Sequence, residues 1–128
     1  MGAWDTGNFD NDGARDHLDD LIERLSATVT EILDDEERAA LDEEGEAVVL
    51  PTVDILALLC EHYHAYPPAT EIVLEWRDRY LRIFDDEIDD LAPAGGFKGG
   101  FKEERRAVIA QTFERLLGYA QAREDEDA

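Results

Sequence analysis

Three features of the sequence predict an all-α protein, a single-domain bundle of about four principal helices. Apolar residues recur at three-and-four spacing in separate segments, and no segment alternates apolar and polar residues over the length of a strand. Proline or glycine stands between the segments, and the connections are short enough for successive helices to pack antiparallel. At 128 residues and 44% hydrophobic content, the chain has the size and composition of one domain with its own core.

The first helix is expected over residues 13–33. Leu18, Leu21, Ile22, Leu25, Val29, Ile32 and Leu33 share one face, while Asp16, Asp19, Asp20 and Glu23 fall mostly opposite. Asn11 or Asp12 is placed to cap it, a side-chain oxygen accepting from an amide two or three residues on. Trp4 and Phe9 would then fold back as apolar plugs, making the N-terminal stretch an ordered capping segment. An acidic connection, Asp34 to Glu46, follows, with Gly45 as its punctuation.

The second helix is expected over 52–63, with Pro51 tolerated near its start. Ile55, Leu56, Leu58, Leu59 and Cys60 nearly encircle it, so it reads as the most buried element. Ala47 to Leu50 forms either an earlier apolar turn or, as the rival to an all-helical fold, part of a small sheet. Pro67 and Pro68 end this region. Thr70 is placed to cap a third helix over 70–91, whose stripe is Val73, Trp76, Tyr80, Phe84, Ile88 and Leu91. Ile72, Leu81 and Ile83 widen that stripe, an extra apolar face that permits a homodimer. Pro93 stops the helix, and a loop with the repeat Gly-Phe-Lys-Gly-Gly-Phe-Lys leads to a fourth over 103–122. Val108, Ile109, Phe113, Leu116, Leu117 and Ala120 face inward there. The domain is taken as 1–122, with 123–128 as a frayed acidic tail.

Charge is the unusual property. Asp and Glu number 33 against 12 Lys and Arg, a net charge of −21, and only Lys98 and Lys102 are lysines. That field opposes direct nucleic-acid binding, which requires cations at the phosphates. It suits a cytoplasm of high salt, where screening relieves self-repulsion, or docking onto a basic partner. A DNA-mimic inhibitor, occupying a DNA-binding protein, is a third reading. Cys60 stands alone, so no disulfide framework arises. The N-terminus lacks a signal-peptide pattern and no run approaches the ~18 apolar residues of a membrane span. The expected location is the cytoplasm, without membrane contact.

Two stretches invite a metal. Asn8, Asp10, Asp12, Gly13 and Asp19 fall at calcium-loop positions 1, 3, 5, 6 and 12. The match fails at its ends: Asn stands first, and Asp at the last position is too short for the usual bidentate reach. Arg15 also takes a place that is normally apolar. In Cys60-Glu61-His62-Tyr63-His64, Cys60 and His64 are four apart and so would share a helix face. Zinc needs further ligands from elsewhere, and a buried cysteine beside helix-end histidines is the plainer outcome. Glu61 and His64 also match a di-iron Glu-x-x-His pair, but the second pair is missing: Ala14 stands at the required offset before His17.

Catalytic constellations are lacking as well. Ser26 is the sole serine and lies within a helix, away from any nucleophile elbow. The Gly-Phe-Lys loop lacks the Gly-Lys-Ser/Thr ending of a phosphate loop. Carboxylate pairs such as Asp85/Asp86 and Asp89/Asp90 read as a solvated face, not as groups with raised pKa.

The opening stretch, MGAWDTGNFDNDGARDHLDDL, resembles the start of a domain-of-unknown-function family of bacteria and archaea. Its members open Met-Gly-Ala-Trp-Gly-x-Gly-x-Phe-(Asp/Glu)-(Asn/Asp)-Asp, followed by a helix. The motif is specific over Met1 to Asp12 and softer through Leu25; further on, only the helical, Ala- and Leu-rich character and the late Trp are similar. Asp5 replaces the usual Gly, so the first turn differs. The resemblance implies a small, stand-alone, helical cytoplasmic protein, and brings no catalytic or binding residues with it.

The reading reached from sequence is a non-enzymatic, acidic helical domain adapted to high salt and acting on a protein partner. Its contact residues would be Phe97, Lys98, Phe101 and Lys102 of the loop, or Trp4 and Phe9. No cofactor is expected. The alternative is a metal-binding protein or small metal-dependent enzyme using Cys60, His62, His64, Asp10 and Asp12.

Overall fold

The computed structural model describes residues 6–127. Four α-helices carry the fold: α1 (Asp12–Leu33), α2 (Leu50–Tyr63), α3 (Thr70–Glu87) and α4 (Phe101–Asp127). No strand occurs among the described residues. Trp4 lies outside them.

Asn11 settles the start of α1. Its side-chain oxygen accepts from the Ala14 amide at 2.7 Å, so Asp12 becomes the first helical residue. Leu18, Ile22, Val29, Ile32 and Leu33 are buried along the expected face.

The apolar run before Pro51 is helical, which removes the small-sheet rival. A wide, π-like passage, Leu41–Val49, kinked at Glu43, runs directly into α2. Pro51 is accommodated as the second residue of α2, near the junction with the wider passage. α2 has the largest buried share of the four helices, as its sequence predicts: Val53, Leu56, Ala57 and Cys60 are interior. Two residues of its expected apolar surround, Ile55 and Leu58, are nevertheless 45% and 44% exposed. The bundle covers only one side of this helix.

The third helix is shorter than its apolar stripe. α3 ends at Glu87 and a single 3-10 turn, Ile88–Leu91, continues the direction. Thr70 lies inside α3 and does not cap it; its amide donates instead to the Glu124 carboxylate at 3.0 Å. That contact explains a second difference. Residues 123–127, expected to fray, form the end of α4, held against the turn before α3. The Tyr66 hydroxyl bonds to Asp127 at 2.8 Å, and the Arg123 guanidinium lies 3.6 Å over the Tyr66 ring. α4 also begins two residues before the expected start, and Val108 points outward at 49% exposure.

Long-range bonds define the helix directions. Arg15 meets the residues at the end of α2, so α1 and α2 are antiparallel. The Trp76 indole donates to the Thr30 hydroxyl at 3.0 Å and Arg79 pairs with Asp34, so α3 runs parallel to α1. Arg106 with Asp85 and Arg115 with Glu61 place α4 antiparallel to α3 and parallel to α2. The result is an up-down-up-down bundle. α4 packs on α2 and α3, and the Tyr80 and Phe113 rings, 5.7 Å apart, fill the space between α3 and α4.

This topology gives the bundle two distinct ends. One carries the opening segment, the end of α2 and the end of α4. The other carries the Leu41–Val49 passage, the Ile88–Leu91 turn and the Gly-Phe-Lys loop.

Candidate functional site

At the first end, the opening segment is bound to the rest of the chain by residues the sequence had marked for other roles. The Asp10 carboxylate accepts from the Gly7 amide at 2.8 Å, and the Asp10 amide returns a bond to the Gly7 carbonyl. Asp12 belongs to the first turn of α1. Two of the candidate calcium ligands, Asp10 and Asp12, therefore serve a tight turn and a helix start. Phe9 is half-buried with its ring 4.5 Å from that of Tyr63.

Arg15, the residue that spoiled the calcium pattern, proves central here. Its guanidinium donates through Nη1 to the Tyr63 carbonyl and through Nη2 to the His64 carbonyl, the latter at 2.8 Å. A cation on the exposed carbonyls of a helix C-terminus satisfies orphan acceptors and complements the dipole. Nothing local in the sequence signals this bond, because its partners are almost fifty residues away.

His64 is in the left-handed conformation, φ 53, and ends the helix, while the amides of His64 and Ala65 both donate back to the Leu59 carbonyl. Cys60 and His64 border one small hollow with Tyr119, Arg123 and Glu126. His62 is exposed, 6.5 Å from the Tyr63 ring centroid. Among the described residues, no three His, Cys, Asp or Glu side chains come together as a metal site.

Cys60 is instead a packed thiol. Burial pushes its pKa up to about 11 from an ordinary 9.0, against a slight lowering by the Arg123 charge. A raised pKa means that the folded chain holds the proton more tightly than the unfolded one. The stability it contributes is complete below about pH 9 and drains away as pH rises through about 11. Urea midpoints should fall across that window, and by less in Cys60→Ala. An unchanged slope in the variant would show that other groups carry the loss.

The second end holds the more unusual geometry. Gly95 and Gly96, with φ of 88 and 84, turn the chain after Pro93 in a conformation that side-chain-bearing residues rarely adopt. The loop then lays Phe97 against the core, and Phe101, first residue of α4, stacks on it with ring centroids 4.9 Å apart. Phe97 is half-buried; Phe101 remains 41% exposed. Lys102 is committed to Asp89 at 2.5 Å. Lys98 is exposed and makes no ion pair among the described residues.

Beneath the two phenylalanines lies a cavity of about 190 Å³, walled by Leu41, Phe84, Ile88 and Ile109 and opening past Leu91. Glu46 and Arg105, paired at 3.4 Å, and Tyr80 form its polar side. Tyr80 is 1% exposed, and burial holds its phenol well above the ordinary range, reinforced by the Glu46 charge and opposed by Arg105. Sequence periodicity had assigned Tyr80, Phe84 and Ile109 to the core without distinguishing those that border a space. The signal for that distinction lies in the long-range contact of residues 41–46 with α3 and α4.

No described helix is long and apolar enough to cross a membrane. A family model described as "Domain of unknown function (DUF4259)" matches residues 2–127. Comparison with curated proteins and with solved structures returned no match.

Proposed function

The chain belongs to the DUF4259 family, and from its own surface we propose a non-enzymatic, acidic helical domain that works by protein–protein contact through the Gly-Phe-Lys loop. One observation carries the reading: Phe101, 41% exposed and stacked on Phe97, lies close in sequence to Lys98, an exposed cation with no ion pair among the described residues, in a chain of net charge −21. Aromatic side chains held rigidly at a surface are common anchors of protein interfaces, since little entropy is lost when they are covered. The loop is the one place where this chain concentrates both of its lysines with two aromatics.

The overall field gives the encounter its sign. A basic partner is drawn in over a screening length, and the loop then sets its register through apolar contact. The same acidity supports a prokaryotic cytoplasm rich in salt as the setting. There steering is suppressed, so Phe101 carries more of the affinity. Nucleic acid is not bound directly.

Affinity purification from the source organism, with wild type, Phe101→Ala and Lys98→Glu as bait, tests the reading. A protein retained by wild type and lost by both variants supports it. A partner retained equally by all three, or none retained by wild type, overturns it. Phe101→Ala is a suitable probe because half-exposed surface positions tolerate truncation at about 1 kcal/mol or less.

A further inference from the structure

We propose that the cavity beneath the Gly-Phe-Lys loop is a binding site for a small neutral aromatic molecule bearing one hydroxyl or carbonyl group. The inference is independent of the protein-contact reading, although both involve Phe97 and Phe101.

Size is the first argument. The space measures about 190 Å³, and an apolar cavity of about 150 Å³ is known to hold benzene. One aromatic ring with a small substituent therefore fits, and a nucleotide or a peptide side chain with its backbone does not. The walls are the second argument. Leu41, Phe84, Ile88 and Ile109 are core residues on four separate elements, which makes the cavity preformed. The stacked Phe97 and Phe101 rings present aromatic surface at its mouth, where a third ring has offset or edge contacts available.

The third argument is an unsatisfied group. Tyr80 lines the cavity, and its hydroxyl makes no hydrogen bond among the described residues, so its bonding capacity is open to a water or ligand in that space. Glu46 and Arg105 line the same cavity as Tyr80. Glu46 at the cavity and the chain's net charge of −21 disfavour a carboxylate or phosphate on the ligand. A neutral group that accepts from, or donates to, Tyr80 fits best.

Phenol, benzene and benzoate are the probes. Titration into the full chain, followed by the methyl resonances of Ile88 and Ile109, reads occupancy at the walls directly. Phenol should saturate these shifts, with benzene weaker and benzoate weakest. Tyr80→Phe should weaken phenol by on the order of tenfold, the equivalent of one buried hydrogen bond, while leaving benzene unchanged. Leu91→Trp, at a 40% exposed position on the rim, should block both. Lys98→Glu, which alters the protein-contact surface alone, should leave phenol binding intact. The proposal is overturned if phenol leaves the two isoleucines unmoved, or if Tyr80→Phe binds it as tightly as wild type; in that case the cavity holds water only.

Discussion

Gly45→Ala should destabilise the fold by about 3 kcal/mol, near the upper end of ordinary overpacking effects. A Cβ at Gly45 would sit 2.3 Å from the Ala39 carbonyl oxygen and 2.9 Å from that of Ala40. Both obstacles are backbone, so no side-chain rotation relieves them. The Gly45 amide itself donates to the Ala40 carbonyl at 3.2 Å, which fixes the close approach. Relief requires moving residues 38–41 as a unit. That motion strains the bidentate Arg38–Glu44 pair, the bond from the Leu41 amide to Glu87, and the buried Leu41 side chain. A control of opposite sign is available in the same chain. Gly118 lies in α4 with nothing within 4 Å of its Cβ position. Gly118→Ala should therefore stabilise, by about 0.5–1 kcal/mol, through helix propensity and reduced unfolded-state entropy. Urea denaturation of the two variants checks both signs. A Gly45→Ala protein as stable as wild type would mean that the 38–46 turn is not packed as described.

Thermal stability should climb with salt. Between about 0.1 M and about 1 M KCl the screening length falls from ~10 Å to ~3 Å, so repulsion among exposed carboxylates is largely removed. Two effects oppose each other. Surface pairs such as Arg106–Asp85 and Arg115–Glu61 weaken as salt rises, but exposed pairs contribute only about 0–1 kcal/mol each. The excess is larger: 33 acidic residues against 12 basic ones leave 33 − 12 = 21 carboxylates with no counter-charge in the chain. Screening therefore wins. A relief of about 3 kcal/mol would raise Tm by roughly 10 °C in a chain of this size. Scanning calorimetry across a KCl series measures it. A flat Tm would remove self-repulsion as a determinant of stability, and with it the argument for a high-salt setting.

The same imbalance explains how the basic residues are spent. Half of the arginines join separate elements through hydrogen bonds or ion pairs: Arg15 to the end of α2, Arg79 to α1, Arg105 to the Leu41–Val49 passage, and Arg106 and Arg115 to α3 and α2. With acid in such excess, a carboxylate is near at hand for many of the cations. Lys98, exposed on its loop, makes no ion pair among the described residues, and neither do Arg24 and Arg82.

Several elements were legible because their signals are local. The Leu18, Ile22, Val29 and Ile32 spacing defines the inner face of α1 whatever surrounds it, and Asn11 is a cap by its own chemistry. The breaks at Pro67 and Pro93 needed only the missing amide and fixed φ of proline. Misreadings arose where one residue was given meaning by a distant one. Residues 123–127 look like a solvated tail by composition, yet Glu124 takes the Thr70 amide, which also lowers its pKa, and Asp127 takes the Tyr66 hydroxyl. Val49 and Leu50 look strand-like by type, but the turn around Gly45 delivers them into a helix.

The sequence by itself determined a helical domain with four amphipathic segments, their stops, and an anionic surface, because periodicity and charge are properties of neighbouring residues. Only the tertiary structure decided which helix ends meet, that Arg15 caps α2, and that Tyr80 faces a cavity beside Glu46 and Arg105. Those outcomes depend on the order and direction in which the helices pack. Contacts between residues tens of positions apart follow from the whole arrangement, and no local pattern encodes them.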